Sequence, residues 1–237
     1  MDQTITIKSL LEAGLHFGHR SRRWNPKMKP YIFGKKHGIY IIDLEKTMER
    51  LRIAYDAVVN ISEAGQDVLF VGTKQQARPI VEEEARRCGA FYVTERWIGG
   101  LLTNFEVVST RIARMVDLDR MIQDSDYGEA TKKESILLQR EYKKLHKMFS
   151  GVREMDRLPG AMYIIDPVRE DTALAEARRL KIPVVSLIDS NGDPSDIDYP
   201  IPGNDDALRA IKLVTGTVAN AVMEGRKEHD TDSMEES

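Results

Sequence analysis

The strongest constraint on this chain is an alternation of short, uninterrupted apolar runs with amphipathic stretches of a dozen or so residues. Asp67–Val71, Phe91–Val93, Ala161–Ile165 and Pro183–Ile188 are too short for helices, and apart from Ser186 their apolar residues are consecutive. Runs of that kind read as strands buried on both faces. Helical periods follow three of them, at about 75–87, 171–180 and 205–224. Strand–helix–strand order calls for right-handed crossovers and a parallel sheet. The expected class is α/β: a parallel sheet flanked by helices, in a Rossmann- or flavodoxin-like three-layer arrangement.

Upstream, Leu10–Ala13 after Ser9 predicts a short helix stopped by Gly14. Tyr31–Phe33 and Ile39–Ile42 flank Gly34–Gly38, which predicts a hairpin with a basic tip. A helical period from Leu44 to Ala64 ends at Gly65. Between Phe105 and Ser150 the alternation breaks. Phe105, Val108, Ile112, Met115, Leu118 and Ile122 step by three or four, as do Leu138, Tyr142, Leu145 and Phe149 beyond a polar stretch at 124–129. This pattern predicts an inserted antiparallel coiled-coil helical hairpin. The expected organisation is one α/β domain made of residues 1–104 and 151–226, the hairpin insertion at 105–150, and a disordered acidic tail at 227–237.

Charge needs to be read by segment. The 237 residues hold 35 Lys and Arg against 38 Asp and Glu, a net charge of -3, which taken alone argues against a nucleic-acid partner. Yet His16–His37 carries Arg20, Arg22, Arg23, Lys27, Lys29, Lys35 and Lys36 without one acid. Phe17, Trp24, Tyr31 and Phe33 are interleaved with them, offering stacking faces beside phosphate-binding cations. Pro26 and Pro30 are expected to keep this segment non-helical, with backbone amides free for phosphate oxygens. From Asp189 to Asp206 the balance reverses, with six Asp and no Lys or Arg. The whole-chain total is a cancellation between patches.

Enzyme signatures fail. Val71 is followed by Gly72-Thr73-Lys74-Gln75-Gln76-Ala77, with one glycine where a dinucleotide fingerprint needs three, and no P-loop or Gly-x-Ser-x-Gly elbow exists. The Gly72 turn, with Lys74, keeps open an anion site at a helix start. The lone Cys88 reads as a buried apolar residue and suits a reducing compartment. Asp189–Asp193 begins like a calcium loop, but its glycine is misplaced and Pro200 stands where the closing Glu belongs. A mixed set of His16, His19, Asp189, Asp205 and Asp206 is a candidate zinc or magnesium site, against helix capping by Asp205 and turn formation at Asp189. The apolar runs are too short to span a membrane, and the N-terminus lacks signal-peptide order, so a cytoplasmic protein is expected.

Ala13-Gly14-Leu15-His16-Phe17-Gly18-His19-Arg20, followed by Trp24-Asn25-Pro26-Lys27-Met28, resembles the opening signature of the bacterial small-subunit ribosomal protein S-two family. Phe70–Lys74, Arg96–Asn104, Leu158–Ala161 and Ile201–Ala207 match the same family in order, so the resemblance covers about residues 8–226. It implies a non-enzymatic α/β protein with a helical hairpin and no required cofactor. Its implied partners are small-subunit ribosomal RNA and neighbouring ribosomal proteins, among them the messenger-binding protein S-one, with no homo-oligomer and a cytoplasmic, ribosome-bound location. It places RNA contact on Arg20, Arg22, Arg23, Trp24, Asn25, Lys27, Lys29, Lys35 and Lys36, and also on Arg96, Trp97 and Asn104. The alternative is a nucleotide- or metal-dependent α/β enzyme working at the carboxyl edge of the sheet.

Overall fold

The computed structural model describes residues 5–124 and 132–235. Helix α1 (Ile7–Ala13) opens with a capping box in which the Thr6 hydroxyl accepts from Ser9 N and the Ser9 side chain accepts from Thr6 N. It closes on Gly14, whose φ of 79° is the left-handed conformation glycine adopts without strain. A small antiparallel sheet follows: β1 (Phe17–Arg20), β2 (Ile32–Lys36) and β3 (Ile39–Ile42), in the order β1-β3-β2. The hairpin of β2 and β3 turns at His37-Gly38, both at positive φ, as a two-residue hairpin turn requires. Strand β1 is an addition to that expectation. Its sequence Phe-Gly-His-Arg lacks apolar alternation, and it is held from outside, with His19 N donating to Asp189 Oδ1 and Ser190 Oγ.

Between β1 and β2 the chain is not free of helix. Pro26–Tyr31 forms a 3-10 segment capped by Asn25, whose Oδ1 accepts from Lys27 N at 3.0 Å. Pro26 sits in the first turn, where no amide is needed, so proline starts this segment instead of preventing it. The Lys27 and Met28 amides are therefore occupied, which corrects the expectation of open amides there.

Helix α2 (Leu44–Glu63) leads into the main sheet: β4 (Val68–Val71), helix α3 (Arg78–Cys88) and β5 (Phe91–Val93). Helices α4 (Phe105–Gln123) and α5 (Lys132–Phe149) come next, and the expected polar turn between them lies outside the described residues from Ser125 onward. Then follow β6 (Ala161–Ile165), α6 (Asp171–Leu180), β7 (Val184–Ile188), β8 (Tyr199–Pro202) and α7 (Leu208–Glu235). The five strands are parallel, in the order β5-β4-β6-β7-β8. Alternate strand residues enter opposite cores. Phe70, Tyr163 and Leu187 meet α1, α2, α3 and α7 on one face, while Leu69, Met162 and Ile188 meet α6, the inner ends of α4 and α5, and Leu101 on the other. Both faces being covered is why the strands read as unbroken apolar runs.

α7 runs past the expected end at Glu224 and carries residues 227–235, read from the sequence as a disordered tail, as helix. Its contacts explain the extension. Gly225 lies so close to α2 that a Cβ would stand 2.3 Å from the Val59 carbonyl oxygen. Arg226 then donates to Cys88 O and to Asp67, and His229 Nδ1 lies 2.9 Å from the Glu63 carbonyl. α4 and α5 are joined by Arg114 to Glu141, 3.2 Å, and by the Tyr142 hydroxyl to Asp119, 2.8 Å.

Candidate nucleic-acid interface

The basic segment is laid over the carboxyl ends of β7 and β8, because β1 is pinned to Asp189 and Ser190 and Asn25 N donates to Ser190 O. Register brings its cations together. Arg20 and Lys36 both pair with Ile39, one from each side, so they flank β3 on one face of the small sheet. Arg20, Arg22, Arg23, Lys29, Lys35 and Lys36 are exposed. Among the described residues, none of them forms an ion pair. Lys35 Nζ sits 6.0 Å from the centre of the Tyr40 ring. Phe33 stands 79% exposed beside these charges and Phe17 49%, a large apolar exposure for one short segment.

Other expected contacts are built inward. Lys27 Nζ lies 2.7 Å from Asp193 Oδ2, so its charge is answered within the chain. Asn25 acts as a cap. Trp24 packs at 4.9 Å on Tyr40 and against the second core. Trp97 is 8% exposed, and its indole N–H donates to Glu176 Oε1 at 2.9 Å, so it has no open face for stacking. Arg96 and Asn104 are exposed at either end of that loop. Glu176 is the residue that sequence reasoning missed. It also accepts from Gly100 N, Leu102 N, Thr103 N and Thr103 Oγ1, all at 2.7–3.0 Å, and so shapes the whole turn from 97 to 103. Burial works to raise its carboxyl pKa, but these donors outweigh it and hold the group below the usual range.

Below the basic segment lies a carboxylate cluster. His19, Asp189, Asp205 and Asp206 bring ligand-type atoms within 4.8 Å of one another, whereas His16 is apart, its ring 3.9 Å from Phe17. His19 Nδ1 is 2.9 Å from Asp189 Oδ2, although without the alignment of a good hydrogen bond, and Nε2 is 3.5 Å from Asp206. Its pKa is raised, first by Asp189. Lys74 enters from the β4–α3 turn, with Nζ 2.6 Å from both Asp205 and Asp206 and 3.2 Å from Asp166. That ammonium is committed to carboxylates, so the Gly72 turn is not an anion site. Burial, with Asp166 and Asp189 nearby, pushes Asp205 up to about 7 against the pull of Lys74. Asp205 does not cap α7; Asn204 Oδ1 accepts from Asp206 N and Ala207 N instead. The donor set suits zinc or magnesium in kind, but Lys74 already supplies positive charge at two of its carboxylates.

No helix among the described residues is long and apolar enough to cross a membrane. The profile of the family described as Ribosomal protein S2 matches residues 10–225. The chain is 54% identical over 221 residues to the small ribosomal subunit protein uS2 of Geotalea uraniireducens, covering 93% of this chain and 86% of that one. It is likewise 54% identical over 223 residues to the uS2 protein of Syntrophobacter fumaroxidans, covering 94% and 81%. A match across both the basic segment and the parallel sheet has one reading: the chain belongs to the ribosomal protein S2 family, whose members are structural components of the small subunit and not enzymes.

Proposed function

We propose that this chain binds small-subunit ribosomal RNA through Arg20, Arg22, Arg23, Lys29, Lys35 and Lys36, with Phe33 as a stacking face. The observation that carries this reading is six exposed cations gathered in one acid-free segment, none of them with an ion pair among the described residues. Phosphate contacts release counterions, so they set both affinity and its salt dependence. Changing Arg20, Arg22, Arg23 and Lys29 together to Gln should weaken RNA binding on the order of 10²–10³-fold near physiological salt and flatten the log–log salt slope by about 3. Filter binding across a salt series checks this, and an unchanged slope refutes it. Kinship supports the rest of the reading: a cytoplasmic, ribosome-bound single copy, with the messenger-binding protein S-one among its neighbours. α4 and α5 would pack there as an antiparallel coiled coil.

A second reading concerns the cluster: His19, Asp189, Asp205 and Asp206 would hold zinc or magnesium, as their grouping within 4.8 Å favours. Such an ion would supply charge compensation in place of Lys74. Zinc at about a hundred times its dissociation constant should then stabilise the fold by about 2.7 kcal/mol, and Asp189→Asn should abolish the effect. A flat thermal titration would leave Lys74 as the cluster's whole countercharge.

A further inference from the structure

A second opening on the carboxyl edge of the sheet has the chemistry of a phosphate site. A cavity of about 410 Å³ lies among the connections that follow β4, β5 and β6, walled by Thr73, Arg96, Trp97, Arg169, Glu170 and Thr172. In the order β5-β4-β6 the chain departs from β4 to both sides, and open α/β sheets bind ligands in the crevice that such a reversal creates.

The acids around it are engaged. Glu95 pairs with Arg78 and Lys147 at 3.3 and 3.2 Å. Glu170 is turned inward, accepting from Thr73 N at 2.9 Å and Thr73 Oγ1 at 2.6 Å. Asp171 Oδ1 accepts from Thr172 N at 2.7 Å. The arginines are not engaged to the same degree. Arg169 donates Nε–H to Thr73 Oγ1 at 3.1 Å and makes no ion pair among the described residues. Arg96 has neither an ion pair nor a side-chain hydrogen bond among them. Both are exposed, so two guanidinium forks with unspent N–H groups border one cavity. Planar forks of this kind match phosphate oxygens two at a time.

We propose that this cavity binds a phosphate group, held by Arg96 and Arg169. The phosphate comes either from an RNA strand running along the same edge or from a mononucleotide. The RNA arm of this inference rests on the RNA-binding reading above; the phosphate chemistry does not.

The test compares wild type, R96Q/R169Q, and the four-fold Gln variant at 20, 22, 23 and 29. One arm follows the thermal midpoint with inorganic phosphate or AMP, against sodium chloride at equal ionic strength. The other measures binding to small-subunit ribosomal RNA across a salt series. Wild type and the four-fold variant should be stabilised by phosphate or AMP, and R96Q/R169Q should not. In the RNA arm, R96Q/R169Q should lower the salt slope by about 0.7–0.9, the loss of one phosphate contact. A loss confined to the RNA arm assigns the phosphate to RNA, and a loss confined to the other arm assigns it to a mononucleotide. R169K, which keeps the charge and loses the fork, should be intermediate, and it stands in if the double variant proves unstable. Wild-type behaviour of R96Q/R169Q in both arms overturns the proposal. If the four-fold variant alone loses RNA and R96Q/R169Q keeps the wild-type response to phosphate and AMP, the site fails while the functional reading survives; if only the four-fold variant binds RNA normally, that reading fails and the cavity stands.

Discussion

Glu176→Leu should cost about 3–6 kcal/mol of folding stability, a large part of the roughly 5–15 kcal/mol a domain has. The leucine fits a helix facing the core, but it strips the acceptor from Trp97 Nε1 and from the Gly100, Leu102 and Thr103 amides. Trp97 and Leu102 are buried, so water does not replace the lost bonds. Each orphaned buried donor costs about 1–3 kcal/mol. Glu176→Gln should fall between, because its carbonyl still accepts while its amide group meets donors head-on. Urea unfolding followed by circular dichroism measures both, and a cost below about 1 kcal/mol for the leucine variant would sink the account. The pH dependence has a definite sign. The folded-state pKa is depressed, so the contribution is full above the ordinary value of 4.5 and disappears as pH falls through the lower folded value. Glu176→Gln should therefore lose that part of the acid-induced destabilisation.

Lys74→Met, studied with a chelator present, should cost about 3–5 kcal/mol at neutral pH, because it leaves Asp205 and Asp166 without their cation. Asp205 is 1% exposed and cannot turn to water. Lys74 has its pKa raised by these carboxylates, against the opposing effect of its own burial. Its contribution is thus complete below 10.5 and is lost only as pH rises through the higher folded value. Wild type keeps it throughout the neutral range. In the variant Asp205 takes up its proton at a higher pH than in wild type, where Lys74 opposes protonation, so the deficit should shrink as pH falls towards about 7, where wild-type Asp205 is half protonated. K74M/D205N should recover at least half of the loss, a coupling read from a double-mutant cycle. A deficit independent of pH, with no recovery in the double variant, would show that Lys74 acts through packing alone.

Strands β4 to β7 were legible because burial on both sides leaves a local signature of near-consecutive apolar residues at 68–71, 91–93, 161–165 and 184–188, broken only by Ser186. β8 was not, since Tyr199-Pro200-Ile201-Pro202 carries two prolines, and only its place at the sheet edge tolerates the missing amides. β1 was hidden for a different reason, its strand geometry being imposed by Asp189 and Ser190 some 170 residues away. The basic segment was visible as composition, but composition could not tell Lys27, paired with Asp193, from exposed Lys29 two residues on. Nor could it tell that Trp97 points into the core while Arg96 beside it remains outside.

Apolar periodicity along the chain by itself determined the class of fold, because burial of a strand or helix face is written in neighbouring residues. The segregation of charge, also a local property, marked where a polyanion would be met. Only the tertiary structure decided which charges remain for that partner. Coulomb and hydrogen-bond energies depend on distance in space, and folding brings Lys74 to Asp205 and Glu176 to Trp97 across 131 and 79 positions of sequence while Arg20, Arg22 and Arg23 stay without an ion pair among the described residues.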